Sequence, residues 1–509
     1  MNKNIKTLIY IYGVRIYTAV ISIVLIPFII DKVGIEAYGL IGFFTVLQAC
    51  LSILDAGIGG VITREAITSQ SSYESFSRFN GLYKKVIAIF LAIALLIIFV
   101  GWFTSVRYSN SWLQTKLDHQ VVITCSFMMF IIFSLRYIQG PFRSIILANE
   151  SQIKLTTINF IAITISQPVA FILIKLLDKG IVFYFLTQLF SAVVSCAMMI
   201  YYSEKIRKKI YAGLLEKKEQ LASAGAVLTV RKMLNFALQL SSLSILWVLV
   251  SQSDKLTLSR YMNLSDYGHY SVAVSFTAIL AILSDPLNQY LQPRLVKCYH
   301  ERDFNTFTRL YVYAFNFIAL ITIPLGAFLF YFGRDLLFVW SGSAELSDAV
   351  IKYLPPIFLG GVFAVFSNLI FLLLYSLGDL KKHTIVYFIF SIFLIPLNIV
   401  VAQKYLGTGS SVLYMFSSAF LFIAWGAYNL VRYFTNGIRI ITVVIAPVLI
   451  FEFIFFYYSS HMLQPLTTER LKLFVAIFSI GLVGFVLAAI YLFFTKAVNG
   501  KIIIDEVKV

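Results

Sequence analysis

A few basic and amide side chains stand inside apolar segments of this sequence, where a charge is costly. Arg136 lies near the centre of the apolar segment 121–147, and Gln139 and Arg143 follow at i+3 and i+7, on one face of a helix. An arginine at the centre of a bilayer costs about 3 kcal/mol on insertion scales unless it faces an aqueous cavity. Because Arg136 is too deep to reach either surface, we expect it to line a cavity. A guanidinium there would bind an anion, and it matches phosphate through two parallel hydrogen bonds.

Further polar side chains are candidates for the same cavity. Arg15 lies about two turns into the first apolar segment, where it can either face the cavity or extend to the inner surface. Gly140-Pro141 and Ser166-Gln167-Pro168 predict interruptions of two helices beside the cavity. The remaining candidate substrate-binding residues are Asn159, Gln167, Gln239, Asp254 and Lys255, the last two either in the cavity or at its outer mouth.

A long stretch of the sequence occurs twice in similar form. The first copy, 31–64, contains Tyr38-Gly39 shortly after an acidic residue, and the second copy, 256–294, contains Tyr267-Gly268 in the same setting. An apolar run of helical length follows each Tyr-Gly pair. The register is kept to within one residue over more than 90 positions downstream, which indicates a duplicated unit.

Two aspartate–arginine pairs stand at matching places in the repeat. Asp55 is followed nine positions later by Arg64, and Asp285 is followed nine positions later by Arg294. Taken singly, each pair is explained as a helix cap with a cytoplasmic anchor. Their recurrence favours the same function for both pairs, one in each half, and we assign all four residues to an inner gate.

The composition is that of a membrane protein. Of the 509 residues, 60% are hydrophobic and 13% are charged, and the mean hydropathy is +0.86, outside the range of soluble domains. A bilayer core about 30 Å thick needs about 20 apolar residues per helix. The first segment is too long for the core of a signal peptide and is expected to be retained as a span. Fourteen segments qualify, with approximate limits 8–30, 39–62, 84–106, 121–147, 153–177, 181–202, 233–255, 266–292, 306–333, 352–376, 383–403, 409–430, 441–459 and 471–494.

The positive charge follows the topology of these segments. With a cytoplasmic N-terminus, the inside segments carry 27 of the 41 Lys and Arg residues and the outside loops carry 12. This asymmetry predicts that both termini are cytoplasmic, and it explains the net charge of +17 without nucleic acid. The four cysteines and five histidines show no metal-binding or disulfide spacing, and no nucleotide-binding loop is present. We therefore expect no cofactor, no metal and no catalytic residue.

The fold class predicted is an all-α polytopic membrane protein with two six-helix bundles and a C-terminal helix pair. Six spans per unit give both units the same orientation, so the repeats are parallel and related by a pseudo-two-fold axis along the membrane normal. The predicted division is an N-lobe at 1–202, a basic cytoplasmic linker at 203–232, a C-lobe at 233–430, and spans 13 and 14 with a tail at 431–509. The linker has the basic amphipathic pattern of a helix on anionic lipid.

An acidic residue lies in the additional helix pair. Glu452 is in the middle of span 13, and we expect it to be neutral, with a hydrogen-bond partner on another helix. A coupling-ion role is the alternative.

Two stretches of the sequence resemble a known family. Ser253-Asp254-Lys255-Leu256-Thr257-Leu258 followed by Tyr267-Gly268-His269-Tyr270 resembles the polysaccharide flippases of the multidrug/oligosaccharidyl-lipid/polysaccharide exporter superfamily. Tyr38-Gly39 with Leu54-Asp55 and Arg64 is similar to the same family. The nearest subgroup looks like the O-antigen and capsular repeat-unit translocases. The resemblance covers essentially the whole chain, including the 6+6+2 arrangement of spans.

The resemblance implies a flippase for undecaprenyl-pyrophosphate-linked oligosaccharide in the bacterial inner membrane, working by alternating access, with glycan polymerase and chain-length proteins as possible partners. A cation-coupled multidrug antiporter of the same superfamily is the first alternative. It requires a buried acidic residue in the first lobe, whereas spans 1 and 4 carry the basic residues Arg15 and Arg136. A membrane glycan polymerase or ligase is the second alternative. Such enzymes place catalytic groups in a large outer loop, whereas no outer loop here exceeds about twenty residues, and the duplication would have no explanation.

Overall fold

The computed structural model describes residues 3–55, 58–177, 180–217, 230–462 and 469–499. These residues form eighteen α-helices and no β-strand, apart from an isolated bridge between Gln114 and Asn263. The first ten helices are α1 (Lys3–Val33), α2 (Ile35–Asp55), α3 (Ile58–Thr68), α4 (Tyr73–Trp112), α5 (His119–Ala148), α6 (Gln152–Thr164), α7 (Ala170–Leu177), α8 (Ile181–Lys217), α9 (Val230–Tyr261) and α10 (Leu264–Phe276). The others are α11 (Ala278–His300), α12 (Phe304–Ser341), α13 (Ala344–Val350), α14 (Leu354–Leu377), α15 (Leu380–Phe420), α16 (Ala427–Tyr433), α17 (Ala446–Met462) and α18 (Arg470–Asn499).

The all-helical prediction is confirmed, and in the described part of the chain each of the fourteen predicted segments falls on helix. Ten helices of the described residues are long and apolar enough to cross a membrane, and Ile35–Cys50 is a shorter apolar helix. Predicted spans 11 and 12 run together in α15, where non-helical backbone at Leu406 separates two helices across a kink. Three short π-helical segments, 165–169, 421–426 and 440–445, continue neighbouring helices.

The chain divides into two compact units, Met1–Gly268 and His269–Val509. In the first unit, α5 is the central helix and packs against α2, α3, α4, α6 and α8. Its apolar core includes Phe76, Tyr83, Phe142 and Ile146, which are at most 6% exposed. The helix α9 packs against α2 and α3 in this unit. The division predicted at 202, 232 and 430, and the pseudo-two-fold relation, stay predictions.

The predicted linker begins as helix. Residues 203–217 continue α8 without a break, so the first half of the linker is an extension of span 6. Residues 218–229 lie outside the described part of the chain. A single continuous helix is expected here because 181–217 contains neither proline nor an interior cluster of glycines.

In the second unit, α12 is the central helix and packs against α11, α14, α17 and α18. Tyr311, Phe315 and Phe366 are almost fully buried, and their rings are in contact. The additional helix pair packs on α12 through Phe456, whose ring lies 5.7 Å from that of Phe328.

Glu452 differs from its prediction. It is fully buried on α17, and among the described residues neither carboxylate oxygen has a hydrogen-bond partner. The partner expected on another helix is therefore wrong. The neighbouring helix α18 presents Gly484 at this point, and glycine has no side chain that could donate.

Candidate functional site

The helix α5 carries the residue around which the candidate site is built. Asp118 caps its N-terminus by accepting a hydrogen bond from the backbone N–H of Gln120 at 3.3 Å. Ile132, Phe133 and Tyr137 are buried around Arg136, whereas Arg136 itself is only partly buried. Burial of the apolar face of α5 fixes its rotation and points Arg136 away from the apolar core.

Two amides and an aromatic ring surround the Arg136 guanidinium. Nη1 donates to Oε1 of Gln48 on α2 through a short hydrogen bond, and Nη2 donates to Oε1 of Gln188 on α8 at 3.3 Å. The Phe44 ring centroid lies 5.8 Å from Cζ of the guanidinium, within cation–π range. We call Arg136, Gln48, Gln188 and Phe44 the Arg136 cage.

The cage contains a cation but no anion. Arg136 makes no ion pair with a carboxylate among the described residues, and its two hydrogen-bond partners are neutral. A guanidinium has five N–H donors, of which the two amide oxygens occupy two. A charge removed from water is stabilised by a matched counter-charge far more than by neutral dipoles. The cage can therefore bind an anionic group through the remaining donors.

A π-helical turn positions one wall of the cage. The prediction of a broken helix at Ser166-Gln167-Pro168 is confirmed, because residues 165–169 form a π-helix that contains Pro168. Nε2 of Gln188 donates to the Ser166 carbonyl at 3.0 Å, which turns its Oε1 towards Arg136. Gln167 donates to the Tyr184 hydroxyl at 3.3 Å. The irregular backbone therefore sets the amide orientation that Arg136 needs.

The interruption predicted at Gly140-Pro141 is wrong. The helix α5 continues through Pro141 to Ala148. Proline removes the backbone hydrogen bond to the Tyr137 carbonyl, but Pro141 is buried within the packing around α5. Packing on both sides holds the helix together despite the lost bond.

The other residues predicted on α5 and its neighbours lie in different surroundings. Gln139 is 9% exposed, and its Nε2 already donates to Ser195 Oγ at 3.0 Å and to the Ala192 carbonyl at 3.3 Å. Arg143 is exposed, about 10 Å from Arg136 along the helix axis. Asn159 is exposed on α6 and Arg15 is partly buried on α1. Of the predicted binding residues, Arg136 is the one that belongs to the four-residue cage, and Gln167 lies beside it through Tyr184.

Asp254 and Lys255 on α9 form their own pair. The Lys255 ammonium lies 3.3 Å from Oδ1 of Asp254, and it also donates to the Ser251 carbonyl at 2.6 Å. Asp254 is 5% exposed. Because the two charges match, this pair adds no net charge to the first unit.

The predicted gate residues are described only in part. The side chains of Asp55, Arg64 and Asp285, and that of the binding candidate Gln239, lie outside the described part of the chain. Arg294 is exposed on α11. Their assignments stay predictions.

The two Tyr-Gly motifs of the repeat meet inside the first unit. A methyl carbon placed on Gly39 of α2 would lie 2.3 Å from the Leu264 carbonyl oxygen, and one on Gly268 of α10 would lie 2.4 Å from the Ile35 carbonyl oxygen. Each glycine thus packs against the first residue of the other helix. We call Ile35, Gly39, Leu264 and Gly268 the Tyr-Gly crossing. Only glycine permits an approach this close.

A loop is fastened beside this crossing. The Glu36 carboxylate accepts hydrogen bonds from Thr115 Oγ1 at 2.8 Å and from the backbone N–H of Lys116 at 2.6 Å. The Leu264 N–H donates to the Gln114 carbonyl at 2.8 Å. The crossing and the loop between α4 and α5 therefore form one packed region, on the side predicted to be outer.

A comparison with family models decides the family. The model described as "Polysaccharide biosynthesis protein" matches residues 5–299, more than half of the chain. The chain belongs to this family. A second model, MatE, matches residues 240–400 of this polysaccharide biosynthesis family member. The resemblance inferred from the sequence is confirmed. No curated protein sequence matches the chain.

Solved structures show the same fold. "Lipid II flippase MurJ, inward closed conformation" matches with a TM-score of 0.66 at 13% identity, covering 97% of this chain and 99% of that one. An inward-facing multidrug resistance MATE family transporter of the MOP superfamily matches with a TM-score of 0.62 at 14% identity, covering 82% of this chain and 97% of that one. A MOP superfamily transporter from Pyrococcus furiosus has a TM-score of 0.50 at 17% identity, covering 83% and 95%. The family member thus has the multi-pass fold of this superfamily.

The sequence argument missed three of the four cage residues, Phe44 and the two glutamines. Gln48 and Gln188 lie 88 and 52 positions from Arg136, on helices whose facing could not be fixed. The available signal was a single glutamine in each of two apolar segments, since an amide within a span needs a polar partner.

Proposed function

We propose that this protein is a flippase that moves undecaprenyl-pyrophosphate-linked oligosaccharide, an O-antigen or capsular repeat unit, from the cytoplasmic to the outer leaflet of the bacterial inner membrane. The observation that carries the proposal is the Arg136 cage, in which a cation inside an apolar unit has only neutral partners among the described residues. A pyrophosphate supplies the missing negative charge. The fold shared with a lipid II flippase supports a lipid-linked substrate.

The mechanism follows from the chemistry of each part of the substrate. The guanidinium donates two parallel hydrogen bonds to one phosphate group and fixes its orientation. The amides of Gln48 and Gln188 hold the guanidinium plane while the substrate binds. The polyprenyl chain stays in lipid, and the oligosaccharide passes through the polar interior. Alternating access then carries the headgroup between leaflets without a chemical step.

The proposed orientation puts both termini in the cytoplasm. It rests on the excess of Lys and Arg in the segments of one side. Asp55 with Arg64 and Asp285 with Arg294 are proposed as the inner gate of this cycle.

The second candidate is a cation-coupled multidrug antiporter, which the MatE match over residues 240–400 favours. Such a transporter needs a carboxylate that exchanges protons or cations. Asp254 is the buried acid on α9, but Lys255 already balances its charge. We therefore rank this function second.

Complementation of a strain that lacks this gene distinguishes the flippase from the antiporter. The intact chain should restore surface glycan, whereas Arg136→Gln should leave lipid-linked repeat units accumulating inside the cell at equal expression. Arg107→Gln is the matched control, because Arg107 is exposed at the end of α4 and outside the cage. Normal glycan with altered drug sensitivity in the deletion strain would support the antiporter instead.

A further inference from the structure

The helix α8 is longer than a membrane is thick. Its 37 residues extend about 55 Å, whereas the hydrocarbon core is about 30 Å. Tyr201 and Tyr202 stand side by side on α8 at the predicted inner end of span 6, with Tyr201 59% exposed, and tyrosine rings concentrate at membrane surfaces. The residues that follow them therefore lie at the depth of lipid headgroups and beyond.

A cavity of about 440 Å³ opens at this level of the first unit. Lys205 and Lys209 of α8 line one side of it, and Lys154 of α6 lines another. The carboxamides of Asn149 and Gln70 add polar groups to the lining. Cavities of about 300–1,000 Å³ are of the size that holds small ligands.

The three lysines give this cavity a positive charge. None of them makes an ion pair with an acidic residue within the described ranges, whereas the nearby Glu204 is paired with Arg207. The Lys154 ammonium lies 5.6 Å from the Tyr202 ring centroid, and the Lys205 ammonium lies 5.8 Å from that of Tyr201. The rings therefore hold both ammonium groups close to α8.

We propose that this cavity binds the phosphate of an anionic phospholipid headgroup in the cytoplasmic leaflet. Lysine ammonium groups bind phosphate as point charges. The Gln70 and Asn149 amide nitrogens already donate once, to the Ala66 carbonyl and to Ser151 Oγ, and each keeps a second N–H for the phosphate. Ile200 is exposed on α8 on the membrane side of this level and offers apolar surface to an acyl chain. The site is independent of the Arg136 cage and of the proposed transport substrate.

The test uses the full-length protein, purified and delipidated, with lipid binding followed by native mass spectrometry. Phosphatidylglycerol should bind at one site in preference to zwitterionic phosphatidylethanolamine. Each ammonium that donates directly to the phosphate contributes at least about a tenfold change in binding, so replacing all three should weaken phosphatidylglycerol binding at least about a hundredfold. The test variant is the triple Lys154→Gln, Lys205→Gln, Lys209→Gln.

The matched control removes three charges from the same predicted side without touching the cavity. It combines Lys84→Gln, Lys85→Gln and Lys208→Gln, all exposed and none of them lining the cavity. Its phosphatidylglycerol binding should stay within about twofold of the wild type, since its lysines act only through the screened surface potential. Equal losses in the two triples, or no preference for phosphatidylglycerol in the wild type, would overturn the proposal.

A second variant fills the cavity without changing its charge. Gly213 lines the cavity, and a Cβ atom there would meet no atom within 4 Å, so Gly213→Phe can start its side chain without a backbone shift and place the ring in the headgroup space. Unchanged lipid binding in this variant, with an unchanged thermal midpoint, would contradict the location of the site.

Competition with glycerol phosphate identifies the source of the phosphate. Binding of phosphatidylglycerol that persists against excess glycerol phosphate supports a lipid bound from the membrane, while complete displacement overturns the lipid and assigns the site to a soluble phosphate. Arg136→Gln should leave this binding unchanged, so failure of the lipid site and failure of the transport proposal remain distinguishable.

Discussion

Substitution of the two glycines at the Tyr-Gly crossing should force α2 and α10 apart. A methyl group on Gly39 would lie 2.3 Å from the Leu264 carbonyl oxygen, and side-chain methyl carbons essentially never approach closer than 3.0 Å. The backbone must therefore move by at least about 0.7 Å, since the obstacle is a carbonyl group rather than a flexible side chain. Gly268 against Ile35 requires nearly the same displacement.

The energetic cost of this displacement can be measured. Overpacking costs about 1–3 kcal/mol, so each alanine should disfavour the closed crossing by about 5- to 150-fold. Cysteines at Gln114 and Asn263, which lie side by side, report closure through the rate of disulfide formation in a background without the four native cysteines. Gly39→Ala and Gly268→Ala should each slow this cross-linking at least about fivefold.

The control is a glycine with room around it. Gly81 lies in α4, and a methyl group there would meet no atom within 4 Å. Gly81→Ala should leave the cross-linking rate unchanged and raise the thermal midpoint slightly, because alanine favours helix. Equal cross-linking rates in Gly39→Ala, Gly268→Ala and Gly81→Ala would refute the reasoning that the crossing depends on the absence of a side chain.

Two further predictions concern charge. Gln48→Glu should place a carboxylate against Arg136 and raise the thermal midpoint. It should also abolish transport, because the Arg136 guanidinium is then paired with Glu and no longer binds the substrate anion. A variant that is stabilised but still transports would contradict this. Thr306 donates to Asp303 at the start of α12 and holds the pKa of that carboxyl below its usual range. Asp303→Ala should lower the thermal midpoint at neutral pH, and the difference from the wild type should shrink as the pH falls below about 4, where Asp303 takes up a proton. A difference that stays constant from pH 7 to pH 3 in a thermal-melt series would contradict the capping role.

The sequence specifies the helices well because their signal is local. Apolar length alone identified the fourteen segments, including the pair that α15 joins across Leu406. The two proline sites show where local reasoning fails. Pro168 lies in a π-helix, whereas Pro141 lies in a continuous helix, because burial holds α5 together at Pro141.

The sequence predicted the buried cation of the candidate site but not the residues that surround it. Arg136 is recognisable from depth alone, since no surface is within reach of its side chain. Its partners depend on the rotation of α2 and α8 about their axes, which the sequence does not determine. Gln139 shares the face of Arg136 on α5, yet its amide donates to Ser195 Oγ and to the Ala192 carbonyl, because α8 presents these acceptors at that turn.

The central claim is that Arg136 binds the pyrophosphate of a lipid-linked glycan, and reconstituted transport tests it most directly. Purified protein in proteoliposomes would be supplied with fluorescent undecaprenyl-pyrophosphate-linked oligosaccharide, and translocation would be followed by accessibility to an external quencher. A charge-assisted hydrogen bond contributes about 1.5–3 kcal/mol, so Arg136→Gln should reduce initial rates at limiting substrate by about 10- to 150-fold, with Arg107→Gln unchanged. Equal rates in the wild type and Arg136→Gln, at equal protein density, would contradict the account.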